Sequence, residues 1–327
     1  MYAVTGGAGF IGSNILAALE ARGAEALVCD RLGRTGKWQN LARRAPVDVV
    51  PPAELPAALD AHAGALRAVL HLGAITDTTE TDADRLAADN LRASQALWQW
   101  CARRRVPFIY ASSAATYGDG AQGFNDDPTP PALARLRPLN AYAWSKHTFD
   151  RWVAARLAAG APAPPQWAGL KPFNVYGPNE YHKGAQASVA YHIFNQIQRG
   201  APARLFRAHR PDLADGAQAR DFVWVGDVVA VVLWLLDHPR VSGLFNLGTG
   251  AARSFNDLAR AVFAALDQPP EIAYIDMPDA LRGQYQSFTQ AETRRLRAAG
   301  YAAPFTGLET GVARYVRGYL NRADPYR

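Results

Sequence analysis

The chain has 327 residues, 49% hydrophobic and 20% charged, the balance of a folded globular protein rather than a disordered one. Its formal net charge is +6, but 35 basic residues are dispersed among 29 acidic ones, which favours a small anionic substrate over nucleic acid. The longest apolar run, 228–236, falls far short of the roughly 20 residues needed to cross a bilayer, so no membrane partner is expected.

The length exceeds what one core usually supports, so a large and a smaller unit are expected. Residues 2–5 read as a buried strand and lead directly into Gly6-Gly7-Ala8-Gly9-Phe10-Ile11-Gly12. Apolar residues at 10, 11, 15, 16 and 19 then give helical spacing over 10–22. A strand, a glycine turn and a helix in that order suit a dinucleotide, because glycines let backbone N–H groups reach a pyrophosphate and the helix N-terminus meets the anion. With a nucleotide-binding strand at the first residues, a secretory signal is not expected and a cytoplasmic location is.

Further strands are expected at 25–30, 47–50, 67–72, 107–111 and 166–171, with helices over 84–104 and 140–157. The run Arg103-Arg104-Arg105 falls at the end of the first of these helices, where positive charge meets the helix dipole. This alternation predicts an α/β fold, a Rossmann-like doubly wound parallel sheet. Beyond Phe173 the pattern loosens, while 222–225 reads as a returning strand and 228–236 as a buried helix. The units therefore interleave: 1–171 plus 220–247 for the dinucleotide, and 172–219 plus 248–327 for a smaller substrate-binding domain. Residues 209–219 read as a surface loop. Cys29 and Cys101, with no paired cysteine motif, read as reduced core residues, and no metal site is indicated.

Tyr142 and Lys146 stand one helical turn apart. An ammonium beside a phenol favours the phenolate, as a tyrosine acting as general base requires. The fifth strand runs into Tyr110-Ala111-Ser112-Ser113-Ala114-Ala115-Thr116-Tyr117-Gly118, placing hydroxyls at the carboxyl edge of the sheet, where open α/β folds bind ligands. Asp30 ends the second strand 18 residues after Gly12, where an acid accepts ribose hydroxyls and favours NAD; Arg31, Arg34 and Lys37 beside it suit a 2′-phosphate instead.

The glycine turn, the serine and the Tyr-x-x-x-Lys together resemble the extended short-chain dehydrogenase/reductase family, whose members act largely on nucleotide-activated sugars. The resemblance implies that Ser113, Tyr142 and Lys146 are catalytic, with Ser112 a structural neighbour. Sugar dehydratases of that family carry an Asp-Glu pair where this chain has Ala114-Ala115, which argues for epimerisation or simple oxidation instead. Thr78-Thr79-Glu80, Asn174-Val175-Tyr176-Gly177-Pro178, His182-Lys183-Gly184, Arg220-Asp221-Phe222-Val223 and Phe288-Thr289-Gln290-Ala291 resemble, over essentially the whole chain, the nucleotide-sugar epimerases that invert ADP-linked heptose for lipopolysaccharide.

That resemblance implies a tightly bound NADP, held by Gly6, Gly9, Phe10, Ile11, Gly12, Asp30, Arg31, Lys37, Leu72, Gly73, Ala74, Ile75, Thr76, Asn90, Tyr142, Lys146, Val175 and Lys183, with residues 171–175 bordering it. It implies an ADP-heptose substrate contacted by Ser113, Asn174, Ala185, His192, Phe206, Arg207, Ala208, His209, Arg220 and Tyr285, with Ser188 close by at a helix start. Lys183 matches a second acid/base, or else a substrate anchor. Ala185 replaces the family's usual serine. A homo-oligomer, a pentamer first, is also implied. Another nucleotide-sugar epimerase, such as a UDP-sugar 4-epimerase, or a catalytically silent NADP-binding regulator are the alternative readings.

Overall fold

Six short strands of the first half, β1 (Tyr2–Thr5), β2 (Ala26–Cys29), β3 (Asp48–Val50), β4 (Ala68–His71), β5 (Phe108–Ala111) and β6 (Trp167–Pro172), form where the sequence alternates buried apolar runs with helices. The computed structural model describes residues 1–208, 211–278 and 286–327. Within them, these strands and a seventh from the second half, β11 (Gly243–Leu247), make one sheet in the order β11-β6-β5-β4-β1-β2-β3. All of its pairings are parallel; Tyr2, for example, lies between Ala26 and Ala68.

The intervening helices are α1 (Phe10–Ala21), α2 (Leu55–Ala61), α3 (Ala83–Leu86), α4 (Ala93–Arg104), α5 (Pro130–Arg135) and α6 (Ala141–Ala158). Because successive strand side chains point to opposite faces, Ala3, Leu27, Val69 and Phe108 join one core with Leu59, Trp98 and Phe149 of α2, α4 and α6. Val4, Val28, Leu70 and Ile109 join another with Ile15 and Leu19 of α1. The doubly wound sheet expected from the alternation is thus what the chain builds. The strand order reverses between β1 and β4, which opens a crevice at their carboxyl ends.

The second half contributes β7 (Asn174–Tyr176), α7 (Val189–Gln198), β8 (Ala203–Phe206), β9 (Ala219–Arg220), β10 (Phe222–Trp224), α8 (Val225–Asp237), β11 (Gly243–Leu247), β12 (Arg253–Ser254), α9 (Phe255–Ala265) and β13 (Ile272–Ile275). The expected return strand at 222–225 does form, but it pairs in parallel with β7 alone. The strand that completes the main sheet is β11 beside β6. The reason is connectivity: α8 packs on the same face as α1, and a strand leaving it lands next to β6. A separate core joins Ile193, Leu205, Val262 and Tyr315, with Phe10 and Tyr176 at its border with the main sheet.

The helix expected over 84–104 is interrupted by a π turn, Ala87–Arg92, between α3 and α4. Arg105 ends it at φ 55°, with Arg103 and Arg104 in the last turn as expected. Among the described residues, no helix is long and apolar enough to cross a membrane. Both cysteines are buried thiols.

Candidate active site

The glycine turn builds a cradle that side chains would fill. Gly6 holds φ +69°, and a Cβ there would lie 2.7 Å from the Gly73 nitrogen. A Cβ on Gly12 would sit 2.1 Å from the Gly6 carbonyl. Gly9 caps α1 without a side-chain hydrogen bond, leaving the first-turn N–H groups of Phe10, Ile11 and Gly12 for an anion. Gly6, Asp30, Arg31, Lys37, Gly73, Ala74 and Ile75 line one cleft of about 450 Å³ that continues between Leu55 and Trp100.

Asp30 is doubly engaged at the end of β2. Its Oδ2 accepts from the Ala8 N–H at 2.9 Å, and its Oδ1 from Lys37 Nζ at 2.5 Å. Arg31 reaches across the cleft to Asp89 on the π turn, with contacts of 2.6 and 3.2 Å. The cradle and this charged rim fit a dinucleotide with its ribose at Asp30.

Below the crevice, His71 joins the two halves of the cleft. Gly73 N–H donates to Thr5 Oγ1, which lies 2.6 Å from His71 Nδ1, and His71 Nε2 lies 2.9 Å from Ser94 Oγ. Ser94 in turn donates to the Asn90 carbonyl. These partners assign a neutral ring that accepts at Nδ1 and donates at Nε2. Burial, with the Lys146 charge nearby, pushes its pKa down to about 3. Asn90 grips Ile75 in both directions, at 2.8 and 2.9 Å, and donates to Ser145 of α6. The π turn carries Asp89 at the cleft, facing Arg31, and Asn90 behind it against Ile75. Leu72 to Ile75 are half-buried along this edge and Thr76 is exposed at its end.

On α6, capped by Asn140, Tyr142 meets Ser113, whose hydroxyl favours the phenolate while the larger effect of burial opposes it and leaves the phenol raised. Lys146 Nζ donates to the Ala111 carbonyl at 2.8 Å, and burial pushes its pKa down to about 8 against the pull of Asp150. It remains mainly an ammonium at neutral pH. The structure thus brings Ser113, Tyr142 and Lys146 to one edge, at the carboxyl end of β5.

Asp150, which the sequence reading passed over, stands beneath them. Fully sealed with Lys171, it accepts from Lys171 Nζ at 2.7 Å, Ser112 Oγ at 2.6 Å and Tyr110 OH at 3.1 Å. Its signal was available: 142, 146 and 150 share one helical face. Ser112, expected to be a structural neighbour, is buried with its hydroxyl on Asp150. Lys171, expected to border the cofactor, is instead wholly buried, because a charged strand residue facing the interior finds its partner in Asp150.

Lys183 lies on the 3₁₀ turn Tyr181–Gln186. Its ammonium sits 5.7 Å from the Phe10 ring, and burial lowers its pKa against the pull of Glu180. Glu180 is buried and accepts from Gly177 N–H and from both the N–H and the hydroxyl of Ser188, the cap of α7. His192 Nε2 lies 3.4 Å from the Ala185 carbonyl. Asn174 and Ala185 are exposed, and Val175 is half-buried.

Phe206, Arg207 and Ala208 follow one another at the end of β8, and Arg207 faces Asp215 and Asp276. The Arg220 guanidinium lies over the Phe255 ring. Next to it, buried Asp221 accepts from Thr249 twice, from Gly250 and from Ala291. His209 and Tyr285 lie outside the described residues.

A family model described as the NAD dependent epimerase/dehydratase family matches residues 2–248. The chain belongs to that family. The NAD dependence in that family's description agrees with a cradle shaped for a dinucleotide. One relative in the family, the ADP-L-glycero-D-manno-heptose-6-epimerase of Nitratidesulfovibrio vulgaris strain Hildenborough, is 50% identical over all of both chains. The crystal structure of the Helicobacter pylori ADP-L-glycero-D-manno-heptose-6-epimerase matches with a TM-score of 0.78 at 26% identity, over 97% of this chain and 95% of that one. The Thermus thermophilus UDP-glucose 4-epimerase in complex with NAD matches with a TM-score of 0.73 at 27% identity, over 97% of each chain.

Proposed function

We propose that this epimerase/dehydratase family member inverts C6 of ADP-D-glycero-β-D-manno-heptose, giving the L-glycero epimer for lipopolysaccharide heptose. Full-length identity of 50% to an epimerase named for that substrate carries the reading. Ala114-Ala115, where dehydratases carry an acidic pair, agrees with it. A nicotinamide dinucleotide held by the glycine turn, Asp30 and Lys37 would supply the reversible hydride transfer that inversion at C6 needs.

The protein's own groups handle the proton. Ser113 holds the C6 oxygen and Tyr142 takes or returns its proton, with the Lys146 ammonium favouring the phenolate. With the sugar rotated about C5–C6, Lys183 serves the other face, and its depressed pKa makes the neutral amine accessible. Asn174, Ser188, His192 and Arg220 would bind the ADP-sugar, Arg220 gripping diphosphate oxygens. The cofactor preferred is NADP, with Lys37 neutralising Asp30 so that a 2′-phosphate is tolerated. The division of labour follows 1–171 plus 220–247 for the cofactor and the remainder for the sugar, in a cytoplasmic homo-oligomer, a pentamer first.

Incubation with ADP-D-glycero-D-manno-heptose, followed by proton NMR at C6, tests the reading; no inversion would overturn it. Tyr142→Phe and Lys183→Met should each slow inversion by about 10²-fold or more, and the double variant should lose aldehyde disproportionation. A fully active Lys183→Met would remove the two-base mechanism.

A further inference from the structure

The turn that carries Lys183 has little structure of its own. Gly184 breaks its helical path at φ 53°, between the Lys183 N–H to Glu180 carbonyl bond and the Ala187 N–H to Gly184 carbonyl bond. Such a segment cannot fix a side chain unless neighbours hold it. Several do. Gln186 donates to Asp77 at 2.9 Å, Asn40 Nδ2 lies 3.2 Å from His182 Nδ1, and His192 Nε2 lies 3.4 Å from the Ala185 carbonyl. A further support is residues 324–327, far away in sequence.

The Tyr181 hydroxyl donates to the Pro325 carbonyl at 2.8 Å, and its ring meets that of Tyr326 edge-on at 5.2 Å. The Arg327 N–H donates to Asn179 Oδ1 at 2.9 Å, and the Arg327 guanidinium to Asn14 Oδ1 at 3.1 Å. Asn14 lies on α1, the helix of the glycine turn. The Tyr326 hydroxyl reaches Gln39, on the helical segment Lys37–Leu41, at 2.6 Å, and Arg43 just beyond that segment pairs with Asp324. The same four residues therefore touch the cofactor helix, the segment carrying the proposed 2′-phosphate lysine, and the turn carrying Lys183.

Three buried asparagines complete the join. Asn40 donates to the carbonyls of Ala8 and Asn179, both at 2.9 Å. Asn14 donates to the Pro178 carbonyl at 2.9 Å, and Asn179, itself at φ 74°, donates to Ser13 at 3.0 Å. Buried amides with several partners each persist only where every partner is in register.

We propose that residues 324–327 are a clasp that positions the Lys183 turn against the dinucleotide-binding turn, with Tyr326 and Tyr181 as its positioning residues. Residues 324–327 do not line the cleft of the glycine turn. The clasp acts by holding Lys183 in line with the reacting carbon, so its effect on rate rests on the role given to Lys183 under Proposed function.

The test uses the full chain with Tyr326→Ala, with Tyr181→Phe as a milder change that removes one hydrogen bond, and with Lys183→Met as a control. Hydrogen exchange over 179–188 is measured alongside kcat per bound cofactor and KM. The expected result is faster exchange over 179–188 with β4 and β5 unchanged. The expected kinetic result is a kcat about tenfold lower in Tyr326→Ala with KM within about twofold, since small misplacement of a reacting group lowers rate more than binding. Unchanged exchange over 179–188 in both variants overturns the clasp. A fall in thermal stability with kcat per bound cofactor intact also overturns it, because support alone would do that. If Lys183→Met is fully active, the Lys183 role fails, and the exchange measurement decides the clasp by itself.

Discussion

Lys171 Nζ lies 2.7 Å from Asp150 Oδ2, and neither side chain has any exposure to solvent. Asp150 also takes the hydroxyls of Ser112 and Tyr110, and Lys171 donates to Thr116. The pair therefore ties β5, β6, α6 and the serine turn into one polar knot under the site. Removing one partner strands a buried charge, at a cost of about 3–5 kcal/mol. Lys171→Met should lower stability by that amount in urea unfolding at neutral pH. A loss below about 1 kcal/mol would mean that Asp150 finds adequate compensation from its other donors.

Gly12→Ala tests the cradle. Its Cβ would meet the Gly6 carbonyl at 2.1 Å, a backbone atom that cannot swing aside as a side-chain tip can. Either α1 shifts away from the turn or the turn loses its shape, and both remove the N–H geometry an anion needs. The variant should purify without bound dinucleotide and bind it at least about 100-fold more weakly, roughly 2.7 kcal/mol. Titration of stripped protein by calorimetry checks this, and near-native affinity would show that the helix is free to move.

The first six strands were legible because each is a short apolar run closed by a turn or a helix start, and parallel strands buried on both faces read that way. Glycine spacing revealed the cradle for the same local reason. What escaped depends on distance in the chain. Nothing in residues 222–225 reveals that they pair with β7, while Gly243–Leu247, itself a good strand sequence, was overlooked behind α8. The π turn keeps helical apolar spacing and shows itself only in where Asn90 and Asp89 point. Lys171 was assigned to the cofactor by its neighbourhood in sequence, whereas its environment is set by Asp150, 21 residues away. Asp221 stands in a segment legible in the sequence, but its partners at 249, 250 and 291 are brought to it only by the fold.

Lys37 and Asp30 should control cofactor choice. With Lys37 at 2.5 Å, the Asp30 carboxylate is neutralised and spares a 2′-phosphate its repulsion. Lys37→Ala would leave that carboxylate free to accept ribose hydroxyls and to repel a phosphate. The ratio of NAD to NADP affinity should move toward NAD by about tenfold, roughly 1.4 kcal/mol. Competitive titration of both cofactors into the stripped protein and the variant gives the ratio; an unchanged ratio would move discrimination to Arg31 or Arg34.

His71 makes the acid side of stability specific. Its pKa, ordinarily 6.5, is pushed down to about 3 by burial, with a smaller contribution from Lys146. Between those values the unfolded chain takes up a proton that the folded chain refuses. Stability should therefore fall as pH drops below about 6.5, by up to about 1.4 kcal/mol per pH unit for this group. His147 and His182, each pushed down to about 4, act in the same direction. Protonation of His71 would also put a donor at Nδ1 facing Thr5, so that the Thr5 hydroxyl loses the ring as its acceptor. Urea unfolding at pH 7.5, 6 and 5 should show the decline. The His71 ring resonance, assigned by its loss in His71→Gln, should not titrate while the protein stays folded over that range. A His71 midpoint near 6.5 in the folded protein would show that the ring tolerates its charge and that the acid sensitivity arises elsewhere.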